Sequence, residues 1–161
     1  MNQEKDFSMT PQELKKEIYR RMATAIYGML ATQNHEETPL VKSMYFVNDE
    51  KGLFYLFTRH TPELDFLSLN FSGVFSIFKE EEVMSEMAEI RAYGSLEFLD
   101  PESSEYAAGM ALFEEKSPFI GNLPWISEPG AYRMLKLIPS RIVFQQMKEE
   151  RAGKKPFILI R

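Results

Sequence analysis

The chain contains no cysteine, two histidines and a single tryptophan. Without cysteine there is no disulfide framework, no thiolate nucleophile and no zinc or iron–sulfur site built on thiolates. His35 and His60 stand on separate turns, without metal-ligand spacing. Basic residues are also short: 19 Lys and Arg against 24 Asp and Glu leave a formal charge of −5. That sign is wrong for neutralising a phosphate backbone, so nucleic acid is not an expected partner. No apolar run approaches the roughly 20 residues needed to span a bilayer, and the opening Met-Asn-Gln-Glu-Lys-Asp is too polar for a secretory signal. No G-x-S-x-G, G-x-x-x-x-G-K-[ST], G-x-G-x-x-G or H-E-x-x-H segment occurs, and no serine has a histidine near it in sequence. What remains is a soluble, cytoplasmic protein whose 161 residues, 44% of them hydrophobic, fit one domain over 1–161.

What the chain does have is aromatic and thioether side chains: 13 Phe, 7 Tyr and 10 Met. Such a surplus suits a β-rich core, because aromatics fit pleated, half-buried surfaces. It equally suits a flat apolar ligand site or a large subunit interface. Composition does not separate the three.

Residues 1–9 read as a mobile tail. Thr10-Pro11-Gln12-Glu13 is a capping box with proline at the first helical position. Leu14, Ile18, Met22 and Ile26 then recur every four residues, which predicts an amphipathic helix to about Thr24. Gly28-Met29-Leu30-Ala31-Thr32 reads as a short strand, followed by a polar turn in which His35 is solvated. Residues 40–47 read as a second strand and 53–58 as a third, the latter so apolar that both its faces should be buried. Thr61-Pro62-Glu63 opens a short helix with Leu64 and Leu67 inward, ending near Asn70. A strand over 71–78 ends at the acidic turn Lys79-Glu80-Glu81-Glu82, whose carboxylates read as solvated rather than as a cation site. Ala88, Ile90, Ala92, Gly94, Leu96 and Phe98 alternate strictly with polar residues and Tyr93, the clearest period of two in the chain. Asp100-Pro101 starts a helix to about Glu115, and the Pro/Gly-rich residues 116–131 read as an ordered loop. A long strand over 132–147, bent or interrupted at Pro139, and an edge strand over 157–160 complete the chain. Consecutive antiparallel strands with few helices predict an α+β barrel-like sheet, not a doubly wound parallel one.

One segment carries a positive chemical argument. Thr58-Arg59-His60-Thr61-Pro62 delivers a buried strand to a helix N-terminus. Unpaired N–H groups, the dipole, two hydroxyls and a guanidinium there suit an anion such as phosphate. The alternative is an ordinary Thr-Pro cap with Arg59 exposed and Glu63 satisfying the dipole.

Together these features resemble the FMN-binding split barrels related to pyridoxamine-phosphate oxidase. The likeness is carried by Leu30-Ala31-Thr32, by Pro39 leading the second strand, and by Thr61-x-Glu63-x-x-x-Leu67-x-x-Asn70. Gly94-x-Leu96 and Tyr132-Arg133-x-Leu135-x-x-Ile138 extend it over most of residues 25–147. The resemblance implies a six-stranded antiparallel split β-barrel with flanking helices, forming a homodimer with FMN at the interface. It implies that Thr58, Arg59 and Thr61 meet the FMN phosphate and that the backbone of Val41, Lys42, Ser43 and Met44 meets the ring edge. Trp125 either covers the ring from the other subunit or anchors its own loop.

The chain also departs from that family. Glu63 stands where a phosphate-binding lysine is usual, and Val41 and Phe46 replace basic positions of the oxidase. The implied activity is therefore a flavin-dependent oxidoreductase of unknown substrate, not pyridoxamine-phosphate oxidation. The alternatives are a non-enzymatic binding or stress module that has lost the phosphate site, and a haem-binding relative with His60 as axial ligand.

Overall fold

The computed structural model describes residues 9–79, 81, 86–124 and 126–160. Glu80 and Glu82 of the acidic turn, and Trp125, lie outside these residues, as does the expected tail except Met9, which packs against the core. Helix α1 (Pro11–Thr24) begins at the predicted capping box. Thr10 Oγ1 accepts from the Glu13 N–H at 3.2 Å, and the Glu13 carboxylate accepts the Thr10 N–H at 2.8 Å. Leu14, Ile18 and Met22 are buried in one cluster with the strand interiors. Ile26, placed on the same stripe by its spacing, lies past the helix end and is exposed.

The strands are β1 (Tyr27–Gln33), β2 (Pro39–Asn48), β3 (Phe54–Arg59), β4 (Asn70–Lys79), β5 (Ala88–Phe98), β6 (Tyr132–Gln146) and β7 (Phe157–Ile160). Their order is β3-β2-β1-β4-β5-β6-β7, and β3 also pairs with β6. That last pairing closes the first six strands into the expected antiparallel barrel, with β7 outside it. Along β5 the alternation holds: Ala88, Ile90, Ala92 and Leu96 are buried. The bend expected at Pro139 is a bulge in one continuous strand. Tyr93 pairs with Arg141 and Gly94 with Pro139, so Ser140 is left out of register. Gly94 is required there, because a Cβ would run into the Ile138 carbonyl.

Strand β3 is buried on both faces, as its composition predicts. Phe54 and Leu56 point into the barrel beside Phe46, Phe75 and Leu135. Tyr55 and Phe57 point the other way, into a second cluster with Phe113, Ile120 and Met134. Six phenylalanines are fully buried across the two clusters (Phe46, Phe54, Phe57, Phe75, Phe113 and Phe144). Each is worth about 2 kcal/mol of apolar transfer, so the aromatic surplus is first of all core.

Helix α2 (Ser104–Lys116) covers the outer cluster. It starts three residues later than predicted, because Ser103 and not Asp100 supplies the cap: Ser103 Oγ accepts from the Tyr106 N–H at 3.1 Å. Asp100 instead holds the turn before it, accepting from the Glu102 N–H at 2.9 Å. Gly109 lets the helix lie close to the sheet, since a Cβ there would stand 2.6 Å from Met134 Sδ. At the end of α2, Lys116 Nζ donates to the carbonyls of Met22 at 3.0 Å and Phe46 at 3.3 Å. It also lies 3.9 Å from the centre of the Phe46 ring. Burial pushes its pKa down to about 8. The stretch expected to be a plain loop contains a 3₁₀ turn, Pro118–Asn122, that buries Ile120, and α3 (Met147–Arg151) follows β6 unpredicted. Both are too short to show a period in sequence.

Candidate functional site

The barrel is split beside β2. β2 pairs with β1 from Pro39 to Tyr45, but with β3 only between Tyr45↔Phe57 and Asn48↔Phe54. The Ser43 carbonyl faces the β3 side, where the Thr58 hydroxyl donates to it at 3.4 Å. Strand geometry turns the N–H and C=O of Val41, two residues back, the same way. At Val41 the ladder has ended, so this backbone edge faces a groove instead of a strand.

Two adjoining hollows form the groove and share Lys42. The narrower, of about 350 Å³, lies against Asn34, Thr38, Val41, Thr61, Glu63 and Phe66. The wider, of about 470 Å³, lies against Ser43, Met44, Thr58 and Arg59 and has aromatic walls. Every site residue expected from the sequence therefore lines one of the two, except Trp125, which lies outside the described residues. Tyr27, Tyr45 and Tyr132 line the wide hollow as well and were not foreseen. Tyr132 stacks on Phe57 at 5.2 Å with the rings 4° apart, and its hydroxyl donates to the Pro124 carbonyl at 2.7 Å. Only the outward phase of their strands, alternating with core positions, marked these tyrosines in sequence.

The segment after β3 departs from expectation. It is one 3₁₀ turn, Pro62–Phe66, with Leu64 and Leu67 inward as predicted, but Asn70 already belongs to β4. A single turn has too few aligned peptides for an appreciable dipole. The Thr61 side chain forms no capping hydrogen bond. The Glu63 carboxyl is held below the usual carboxylate range, chiefly by its own backbone N–H, then by the Thr61 hydroxyl and the charge of Lys42. The hydroxyl contact falls short of hydrogen-bond geometry, and Thr61 Oγ1 is buried without a partner. A carboxylate of the chain itself thus sits where the sequence suggested an anion site.

The two histidines have other occupations. His60 Nε2 lies 2.9 Å from Asp65 Oδ1, with Arg133 Nη1 3.9 Å from the same oxygen, and His60 lines neither hollow. His35 is exposed, as expected, and its ring and backbone also tie the β1–β2 turn to the 3₁₀ turn. Its Nδ1 lies 2.6 Å from the Phe66 carbonyl, its backbone N–H donates to the same oxygen at 3.3 Å, and its ring stacks on Phe66. Among the described residues, no cluster of three or more His, Cys, Asp or Glu is placed to hold a metal ion. No described helix is long and apolar enough to cross a membrane.

No protein-family model matches the chain, and no curated protein matches it in sequence. Solved structures do match. A Clostridium acetobutylicum protein related to general stress protein 26 of B. subtilis, of the pyridoxinephosphate oxidase family, superposes with a TM-score of 0.65 at 15% identity. The match covers 94% of this chain and 96% of that one. The haem storage protein HutZ of Vibrio cholerae matches at 0.64 and 13% identity, covering 91% of this chain and 94% of that one. A FAD-binding protein of Mesorhizobium loti matches at 0.62 and 12% identity, covering 81% and 90%. At these identities the likeness is one of architecture: the chain has the α+β split-barrel fold found in proteins of the pyridoxinephosphate oxidase family, in FAD-binding proteins and in haem storage proteins.

Proposed function

We propose that the chain binds a flavin in the groove along β2 and works as a flavin-dependent oxidoreductase of a substrate still to be identified. FMN is the cofactor the sequence resemblance implies. The observation that carries this reading is the coincidence of the groove with the expected residues: Val41, Lys42, Ser43, Met44, Thr58, Arg59 and Thr61 all line it. The backbone edge at Val41 offers a donor and an acceptor to the edge of a planar heterocycle. Tyr27, Tyr45 and Tyr132 supply apolar surface for its faces. A bound flavin would supply the hydride or electron chemistry, and the chain would supply orientation and shelter from water. No acid–base pair is then required of the protein.

A second copy of the chain is part of the proposal. Tyr27, Met29 and Val41 share the outer face of the β1–β2 ladder, and Phe78 continues it on β4. All four are exposed, Tyr27 at 65%. Covering them with the same face of another protomer would bury the patch and wall the groove.

The proposal is tested by purification and titration. A yellow protein, or quenching of added flavin fluorescence on binding, is the expected result. A colourless protein that quenches neither FMN nor riboflavin sinks it. The filled turn at Glu63 favours a second reading, a binding module that has kept the barrel and lost the phosphate site.

A further inference from the structure

The two ends of the groove differ in chemistry. Arg59 and Thr58 stand beside the aromatic walls of the wide hollow. At the narrow end Asn34, Thr38, Thr61 and Glu63 gather, and Lys42 is the only cationic side chain among the described residues lining it. The charge of Lys42 already acts on the Glu63 carboxylate. An incoming phosphate dianion would find a single cation there with a carboxylate beside it. Hydroxyl and amide side chains, by contrast, are suited to the hydroxyls of a polyol. The buried, unpartnered Thr61 Oγ1 adds one more group in need of a hydrogen-bonding partner, which a ligand hydroxyl can supply.

We infer that this groove takes a flavin by its ring and polyhydroxy chain and disfavours a terminal phosphomonoester, so that riboflavin-type ligands bind in preference to FMN. The inference rests on the flavin reading above and narrows its ligand class. Electrostatics set the expected size: a dianion close to a solvent-exposed carboxylate should bind about tenfold more weakly than its uncharged parent.

The experiment titrates riboflavin and FMN by fluorescence quenching at pH 7.5 against the wild-type chain, Glu63→Gln and Glu63→Lys. Riboflavin is expected to bind the wild type about tenfold more tightly than FMN. Glu63→Gln should strengthen FMN by about the same factor and move riboflavin by less than about twofold, and Glu63→Lys should make FMN the preferred ligand. FMN binding the wild type as well as riboflavin does, or Glu63→Gln shifting both ligands equally, overturns the inference while the flavin reading stands. Failure of both ligands to bind all three proteins overturns the two together. Glu63 is exposed, so neither substitution threatens the fold.

Discussion

Lys116 should make the protein more stable at alkaline pH than at neutrality. Its ammonium is largely buried, and desolvation lowers its pKa from 10.5 to about 8. A base whose folded pKa lies below its unfolded value carries a cost wherever the unfolded chain is protonated and the folded site must be too. That cost is full below about pH 8 and fades as pH rises from 8 towards 10.5. Taken whole, the shift would relieve about 2 kcal/mol between pH 7.5 and 9.5. Nζ keeps partial access to water, and two carbonyls and the Phe46 ring hold its charged form. A relief of about 1 kcal/mol is therefore expected. Tyr55 and Tyr106 act the other way above pH 10, because burial raises their pKa values and favours their neutral forms in the fold. Urea unfolding of the wild type and Lys116→Met at pH 7.5 and 9.5 measures the effect. The variant should lose its advantage, or gain a deficit, by about 1 kcal/mol across that interval. Parallel pH profiles for the two proteins would refute the argument.

Two further outcomes follow from the fold. Gly94→Ala forces a Cβ into the Ile138 carbonyl at the β5–β6 bulge, and should cost about 2 kcal/mol or more in denaturant titration; a loss under about 0.5 kcal/mol would mean that the bulge relaxes freely. Light scattering should give the wild type twice the chain mass of 18.8 kDa. The pair Tyr27→Glu and Met29→Glu should return it to one chain, since charge on both sides of the seam opposes association. A monomeric wild type would remove the second copy from the proposal.

The barrel was legible in the sequence because its signals are long or doubled. The Thr10–Glu13 cap, the period of two along β5 and the unbroken apolar run of β3 each impose one local answer, and the fold agrees with all three. The groove was legible through resemblance more than through physics, apart from the Thr58–Pro62 corner. The same corner offered Glu63 as the group that satisfies the turn, and its carboxyl is held low there. What escaped was what depends on a side chain reaching a distant carbonyl. His35 reads as solvated and is exposed, but its contact with the Phe66 carbonyl had no signal. Lys116 reads as the first residue of the loop, yet it ends α2 and its Nζ reaches the carbonyls of Met22 and Phe46. None of these contacts has a spacing that a sequence period records.

The closing pair of strands has a consequence for how the protein is made. β2 meets β1 and β3 as soon as short hairpins form, and β5 meets β4 in the same way. β3 cannot finish until Phe57 faces Met134 and Leu56 faces Leu135, with β4, β5 and α2 lying between them in the chain. The strand buried on both faces is thus the one separated from its second neighbour by the longest stretch of chain. Until β6 emerges, Phe54 and Leu56 have no closed barrel to enter and Phe57 lacks Met134 to pack against, so the nascent chain carries its most aromatic strand uncovered. Translation speed and chaperone capture between α2 and β6, more than the final stability, should decide how much of this chain reaches the folded state.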